Sequence, residues 1–314
     1  MKQSISAPGK VILFGEHAVV YGRPAIAAPL SQIRAYAEVK RTDEPLTVRA
    51  EDINRPPLRW QDAQPDSGDA LERMTANACR FFCAAAVKGE IAIRSDIPIA
   101  RGLGSGAAVS AVLARAIAAL LGRALSLADT NALVYEVEKL HHGTPSGIDN
   151  TVVVYNKPVY FVKGRRPEFI GIARPIDLVL ADTGISALTR ETVAAVRDLR
   201  LKKRARTEAA FDAIGAITQS AGAAIEAGDR ADLGQLMTEN HKLLQALAVS
   251  SPLLDALVAA ALDAGALGAK LSGAGRGGVI IALVDESTAR PVRRALLKAG
   301  AKRVYLTAIG EEAA

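Results

Sequence analysis

The sequence predicts an α+β protein built as two domains. Short apolar runs that read as strands are mixed with longer segments of helical period. They lack the strict strand–helix–strand rhythm of a doubly wound sheet. A charged stretch punctuated by proline and glycine, "FVKGRRPEFIGIARP" (161–175), separates two such mixtures and places a boundary near residue 172. The domains expected are therefore 1–172 and 173–314.

In chain order, the first domain has strand patterns at "KVILFG" (10–15), "IRAYAEV" (33–39), "GEIAIRS" (89–95) and "PVYFV" (158–162). Helical periodicity covers 69–86, 107–121 and 129–141. Ser126 precedes Asp129 by three residues, a capping box with Asp in place of Glu. The second domain has strands at "IDLVLAD" (176–182), "GGVIIALVD" (277–285) and "RVYLTAIG" (303–310). Its helices are expected over 190–225, 229–249, 252–264 and 288–300, with Ser251 and Pro252 marking one start.

Composition narrows the classes. The 314 residues are 50% hydrophobic and 4% aromatic, which suits a helix-rich soluble enzyme with real cores. No apolar run reaches the roughly 18 residues of a membrane span, and the N-terminus lacks a signal-peptide core and cleavage site. Cys79 and Cys83 stand four apart in "ACRFFCAAA" and read as buried thiols on one helix face, in a reducing cytoplasm. The net charge of +6 suits acidic small molecules or nucleic acid. The basic run "RDLRLKKRAR" (197–206) reads as a solvated helix face or a phosphate-attracting edge. Without interleaved aromatics to stack on bases, nucleic acid is disfavoured.

Four segments carry chemistry. "ARGLGSGAAV" (100–109) has glycines at 102, 104 and 106 around Ser105 and runs into a helix. It is no Walker A loop, since no Gly-Lys-Ser/Thr follows. It is no dinucleotide fingerprint either, since "DIPIAR" parts it from the strand. A glycine loop feeding a helix N-terminus can hold a polyphosphate on backbone N–H groups without any lysine. A tight turn with no ligand explains one glycine but not three. In "EKLHHGTPSGIDN" (138–150) a helix ends near His141–His142, a stiff turn follows, and Asp149 is presented as a general base. Glu138 is a second carboxylate, fit for a metal; His141 and His142 read equally as partners of the helix C-terminus. "KLSGAGRGGVII" (270–281) is a glycine hairpin or a second loop closing over a ligand. "APGKVILFGEHAVVYGRPAI" (7–26) sets Lys10, Glu16 and His17 in an otherwise apolar run, where charge needs a reason.

Together and in this order, the four segments resemble the galactokinase–homoserine kinase–mevalonate kinase–phosphomevalonate kinase (GHMP) superfamily. "GEHAVVYG" and "HGTPSGIDN" are most similar to its mevalonate kinases. The resemblance implies a two-domain fold, with an N-terminal domain like ribosomal protein S5 domain 2, a ferredoxin-like C-terminal domain and an active site between them. It implies ATP-dependent phosphorylation of mevalonate at its primary hydroxyl. Asp149 would be the base and Lys10 its cationic partner, offsetting charge on the transferring phosphoryl group. Gly102, Leu103, Gly104, Ser105, Gly106 and Ala107 would cradle ATP. His17, Glu16 and Ser146 would bind substrate, and Ser105 and Glu138 would hold Mg²⁺. Two departures stand out. Gly106 occupies the place of the family's second loop serine, so Ser105 or water supplies that ligand, and Arg276 replaces a glycine. The partners expected are the small-molecule substrate and ATP, a homodimer is an assembly to test, and no membrane or nucleic acid is involved. Another kinase of the superfamily, acting on phosphomevalonate or homoserine, and a non-catalytic ligand-binding relative are the alternatives.

Overall fold

The first strand is buried continuously over residues 7–14, and buried positions alternate with more exposed ones along the later part of the second strand and along the fifth. The computed structural model describes residues 3–53, 55–142, 145–186 and 189–310. Strands β1 (Gln3–Phe14), β2 (Ala25–Pro45), β3 (Thr47–Ala50) and β4 (Leu58–Arg59) precede helix α1 (Ala70–Phe81) and β5 (Lys88–Ser95). Helices α2 (Ser105–Leu120), α3 (Leu127–His142) and α4 (Ile148–Tyr155) follow, then β6 (Val159–Phe161), β7 (Glu168–Phe169) and β8 (Ile176–Asp182). The chain closes with α5 (Thr189–Lys202), α6 (Arg204–Ala227), α7 (Arg230–Ala246), α8 (Pro252–Asp263), β9 (Gly268–Ser272), β10 (Val279–Leu283), α9 (Ala289–Lys298) and β11 (Arg303–Ile309).

These elements form two compact units that the chain enters more than once. The first holds residues 1–9, 33–99 and 104–156; the second holds 10–32, 100–103 and 157–314. In the first unit, the later part of β2 pairs antiparallel with β5, from Ala35 against Ser95 to Lys40 against Glu90. β3 lies parallel to β5 and carries β4. Helices α1 to α4 pack on one another, with α2 against β5. The alanine-rich α2 is buried on most of its circumference, including Ala107, Ala111, Ala114 and Ala118. Small side chains let neighbours approach it closely, and a helix apolar all round belongs at the centre. Asp69 caps α1 through the Leu71 and Glu72 N–H groups. Ser126 and Asp129 form the expected capping box.

In the second unit, β8, β9, β10 and β11 make an antiparallel sheet in the order β11-β8-β10-β9. Counted within that sheet the order is 4-1-3-2, with helices between the first and second strands and between the third and fourth. This is the ferredoxin-like arrangement. The core gathers Val179, Ala181, Leu271 and Ile280 from the sheet with Phe211, Leu244, Leu254 and Leu257 from the helices. Tyr21 stacks on Phe211 with ring centroids 4.5 Å apart. Ala25–Ala27 of β2 pair with β6, and β6 with β7. Among the described residues no helix is long and apolar enough to cross a membrane.

Three differences from the sequence reading have physical causes. The helix expected over 190–225 breaks at Lys203, where φ is −136° and ψ 54°, and α5 packs back on α6. The fold-back lets Arg200 reach Glu208 at 2.5 Å and lie over the Tyr21 ring. The rest of the basic run is a largely exposed helix face. Cys79 is buried, but Cys83 is exposed, because α1 ends at Phe81 and Cys83 turns into the left-handed region at φ 49°. The two thiols therefore do not share a buried helix face. Helix α4 was not among the helices expected, because its valines 152–154 favour strands; burial overrides that preference here.

Candidate functional site

β1 ends at Phe14, and the chain then makes an unusual turn. The Glu16 carbonyl accepts the Ala18 N–H at 2.7 Å, which closes a γ-turn around His17. His17 sits at φ 62°, ψ −45°, a region that costs a non-glycine residue on the order of 1–3 kcal/mol. Its surroundings hold it there. Glu16 is fully buried and both carboxylate oxygens are taken, one by the Lys270 ammonium and one by Asn240 Nδ2 at 3.2 Å. Lys270, also fully buried, donates to the Leu271 carbonyl at 2.7 Å. Burial draws the Lys270 ammonium below the ordinary lysine range, and the Glu16 carboxylate opposes that shift.

The His17 ring is fixed by a 2.8 Å bond from Nε2 to the Ala274 carbonyl. A carbonyl only accepts, so Nε2 carries the proton and Nδ1 presents a lone pair. Burial lowers the His17 pKa to about 4; the Ala274 bond opposes this and the nearby charge of Arg276 adds to it. At neutral pH His17 is thus an uncharged acceptor with a fixed tautomer. One strand back, Lys10 is buried on β1 and its backbone N–H donates to the Leu103 carbonyl at 2.9 Å.

That bond ties β1 to the glycine loop. Gly102 has φ 77°, and a Cβ added there would meet the Gly273 Cα at 3.8 Å. Arg101, just before it, straps the loop to the end of β8. Its Nε lies 3.0 Å from the Asp182 carboxylate, while its terminal nitrogens donate to Ser186 Oγ at 2.8 Å and to the Gly184 carbonyl at 2.9 Å. The turn between β9 and β10, residues 273–278, is anchored on the same segment. Gly278 N–H donates to Ile185 O at 2.9 Å, and Thr183 Oγ1 donates to Gly278 O at 2.8 Å. At Gly275 an added Cβ would stand 2.0 Å from the Val249 carbonyl, so no side chain fits.

Between residues 103 and 104 the loop passes into the other unit. Gly104 caps α2 at φ 75°, ψ 24°, with no side-chain cap and no acid in the first turn. Ser105, Gly106 and Ala107 form that turn, where N–H groups have no intrahelical acceptor and the dipole is positive. The arrangement fits a polyphosphate. In the same unit Glu138 is buried on α3, 3% exposed, and α3 packs on both α2 and α4. Asp149 is half-buried in the first turn of α4, following Gly147 at φ 93°. Ser146 Oγ accepts the Ile148 N–H at 3.4 Å, and Asn150 Nδ2 bonds Asn131 Oδ1 at 2.8 Å. His141 and His142, from the same motif, lie outside the residues whose side chains are described. Among the described residues no three His, Cys, Asp or Glu side chains cluster as a metal cage. A serine hydroxyl and one carboxylate, both hard oxygen donors, still fit Mg²⁺ carried on a nucleotide, which needs few protein ligands.

Lys10, Glu16, His17, Gly102 and Leu103 therefore share one unit, and Gly104, Ser105, Gly106, Ala107, Glu138, Ser146 and Asp149 the other. Sequence reasoning assigned no role to Lys270, Asn240 or Arg101. A lysine entering an apolar strand was the signal available for Lys270.

Residues 70–157 match the GHMP kinases N terminal domain, and residues 221–302 match GHMP kinases C terminal. A curated mevalonate kinase from Pyrococcus furiosus is 37% identical across 96% of this chain and 94% of its own. The chain belongs to the GHMP kinases. This GHMP kinase is also similar to solved structures. The L. major mevalonate kinase in complex with R-mevalonate aligns with a TM-score of 0.85 at 29% identity, covering 99% of this chain and 97% of that one. The Methanococcus jannaschii mevalonate kinase aligns with a TM-score of 0.86 at 27% identity, covering 98% of each chain. As a GHMP kinase, the chain is a small-molecule kinase whose phosphate donor is ATP.

Proposed function

We propose that this kinase transfers the γ-phosphoryl group of ATP to the primary (5-) hydroxyl of mevalonate. The observation that carries the reading is the 37% identity to a curated mevalonate kinase along nearly the whole of both chains. A carboxylate, a lysine and a buried second carboxylate all stand at the motif positions, which weighs against a non-catalytic relative. The same reading assigns ATP binding and the base to residues 1–172, with 173–314 as the C-terminal domain; the two family matches fall one on each side of that division. It also makes the protein cytoplasmic, in keeping with two cysteines that form no disulfide.

In this mechanism Asp149 accepts the proton of the primary hydroxyl as that oxygen attacks the γ-phosphorus. The new P–O bond forms, the bond to the β-phosphate oxygen breaks, and ADP leaves. Lys10 offsets negative charge on the transferring group. The backbone of 102–107 holds the phosphates at the start of α2. Ser105 and Glu138 would hold Mg²⁺, which when bound neutralises charge on the β- and γ-phosphates. His17, neutral and fixed through Nε2, accepts a hydrogen bond from a substrate hydroxyl at Nδ1, and Ser146 adds a second contact. Glu16 acts through the turn that carries His17, because its oxygens are occupied by Lys270 and Asn240.

The test is ADP release with mevalonate, phosphomevalonate, homoserine and galactose as acceptors. Mevalonate is expected to be turned over far faster than the rest, and Asp149→Asn to lower kcat by roughly 10²–10⁴ with MgATP binding intact. Faster turnover of another acceptor would move the assignment to that substrate, and a normal kcat in Asp149→Asn would remove it as base.

A further inference from the structure

Arg276 is the one charged side chain in the glycine turn 273–278. It stands at φ 58°, a conformation that glycine adopts freely and arginine does not. Its backbone N–H donates to Val249 O at 2.7 Å, and its Nε donates to Ala248 O at 3.3 Å, at the C-terminal end of α7. The residue is exposed, and its two terminal nitrogens make no hydrogen bond among the described residues. It lies two positions from Ala274, whose carbonyl holds the His17 ring. The guanidinium is therefore anchored on one edge and open on the other, and its charge reaches the His17 ring closely enough to lower that ring's pKa.

We propose that Arg276 is an anion-binding residue of the kinase site, and that its open edge receives an oxyanion of the bound reactants beside His17. The inference rests on the proposed function for the identity of those reactants, which carry two candidate oxyanions: the carboxylate of mevalonate and the terminal phosphate of ATP. A planar guanidinium presents paired donors that match either group. The positive charge that Arg276 adds near His17 also favours its uncharged form, which suits a ring that accepts a hydrogen bond from a substrate hydroxyl. A guanidinium aimed at a ligand accounts for an arginine held where glycine is cheaper. A helix cap alone is the competing explanation.

The experiment uses the whole protein and titrates mevalonate alone and MgATP alone into the parent, R276G and R276K by calorimetry, with a thermal melt of each. Glycine suits the backbone at 276, so R276G is expected to fold with an unchanged or higher Tm. One ligand is expected to bind R276G roughly 10- to 100-fold more weakly, the scale of a lost charged hydrogen bond, and R276K to recover part of the loss. Weakening in the mevalonate titration identifies a carboxylate contact, and weakening in the MgATP titration a phosphate contact. Unchanged binding of both ligands, or weakening only in step with a lower Tm, leaves Arg276 as a helix cap and overturns the proposal. Failure of the parent itself to bind mevalonate would sink the proposed function and still leave the MgATP titration to judge Arg276.

Discussion

Lys270 carries its charge where no water reaches it, and Glu16 is what makes that tolerable. The pair spans 254 residues of sequence, so no local pattern announces it. Lys10, Glu16 and His17 were legible because each interrupts an apolar run, whereas Lys270 was masked by the glycines beside it. Removing one member of a buried pair leaves the other uncompensated, which costs about 3–5 kcal/mol. Lys270→Met should therefore lower the unfolding free energy from urea melts by that measure, and adding Glu16→Gln should restore most of it. Because Glu16 fixes the turn around His17, the single variant should also raise KM for mevalonate more than KM for ATP. A loss below about 1 kcal/mol with both KM values unchanged would mean the pair anchors nothing.

Start and stop signals were the readable part of the helices. Ser126 with Asp129 and Ser251 with Pro252 begin α3 and α8 as their chemistry requires. The break at Lys203 was not readable, since no proline or glycine marks it. β9 was hidden for a related reason: it is buried along its whole length and shows no alternation. The glycine loop was legible as a turn feeding a helix N-terminus, although Ser105, Gly106 and Ala107 turned out to be the first turn of α2 itself. Gly104 has φ 75°, where a β-branched residue is strained, and it sits directly ahead of the N–H groups that would face phosphate. Gly104→Val should abolish measurable MgATP binding while far-UV circular dichroism stays that of the parent. Calorimetric titration decides this, and parent-like affinity would mean the phosphates bind elsewhere.

The ferredoxin-like order of the second unit could be anticipated only through the family resemblance, because strand order across a sheet leaves no trace in periodicity. Stability as a function of pH is a property of the molecule as a whole, and His17 leaves a mark on it. In the folded protein its pKa is about 4, against about 6.5 when unfolded. The unfolded chain therefore takes up the proton first. Relative stability is intact above pH 6.5, falls as pH drops toward 4 and levels off below, a change of about 3 kcal/mol. Burial moves His241 in the same direction, so the comparison must isolate His17. His17→Asn, the side chain most at home at positive φ after glycine, should show a shallower loss of stability over that interval in urea melts at stepped pH. Identical slopes would mean the ring is not held neutral. The interleaving of the two units bears on how the chain comes off the ribosome. Residues 10–32 emerge early, yet they belong with a sheet whose last strand ends at Ile309. The opening segment of the second unit is thus made inside the span of the first, and it waits through that span for the rest of its own unit. The N-terminal segment, with its apolar strand, meets β6 only after residue 161 is made and Phe211 only after the whole of the first unit, which leaves an apolar stretch waiting on the ribosome for partners that lie far along the chain.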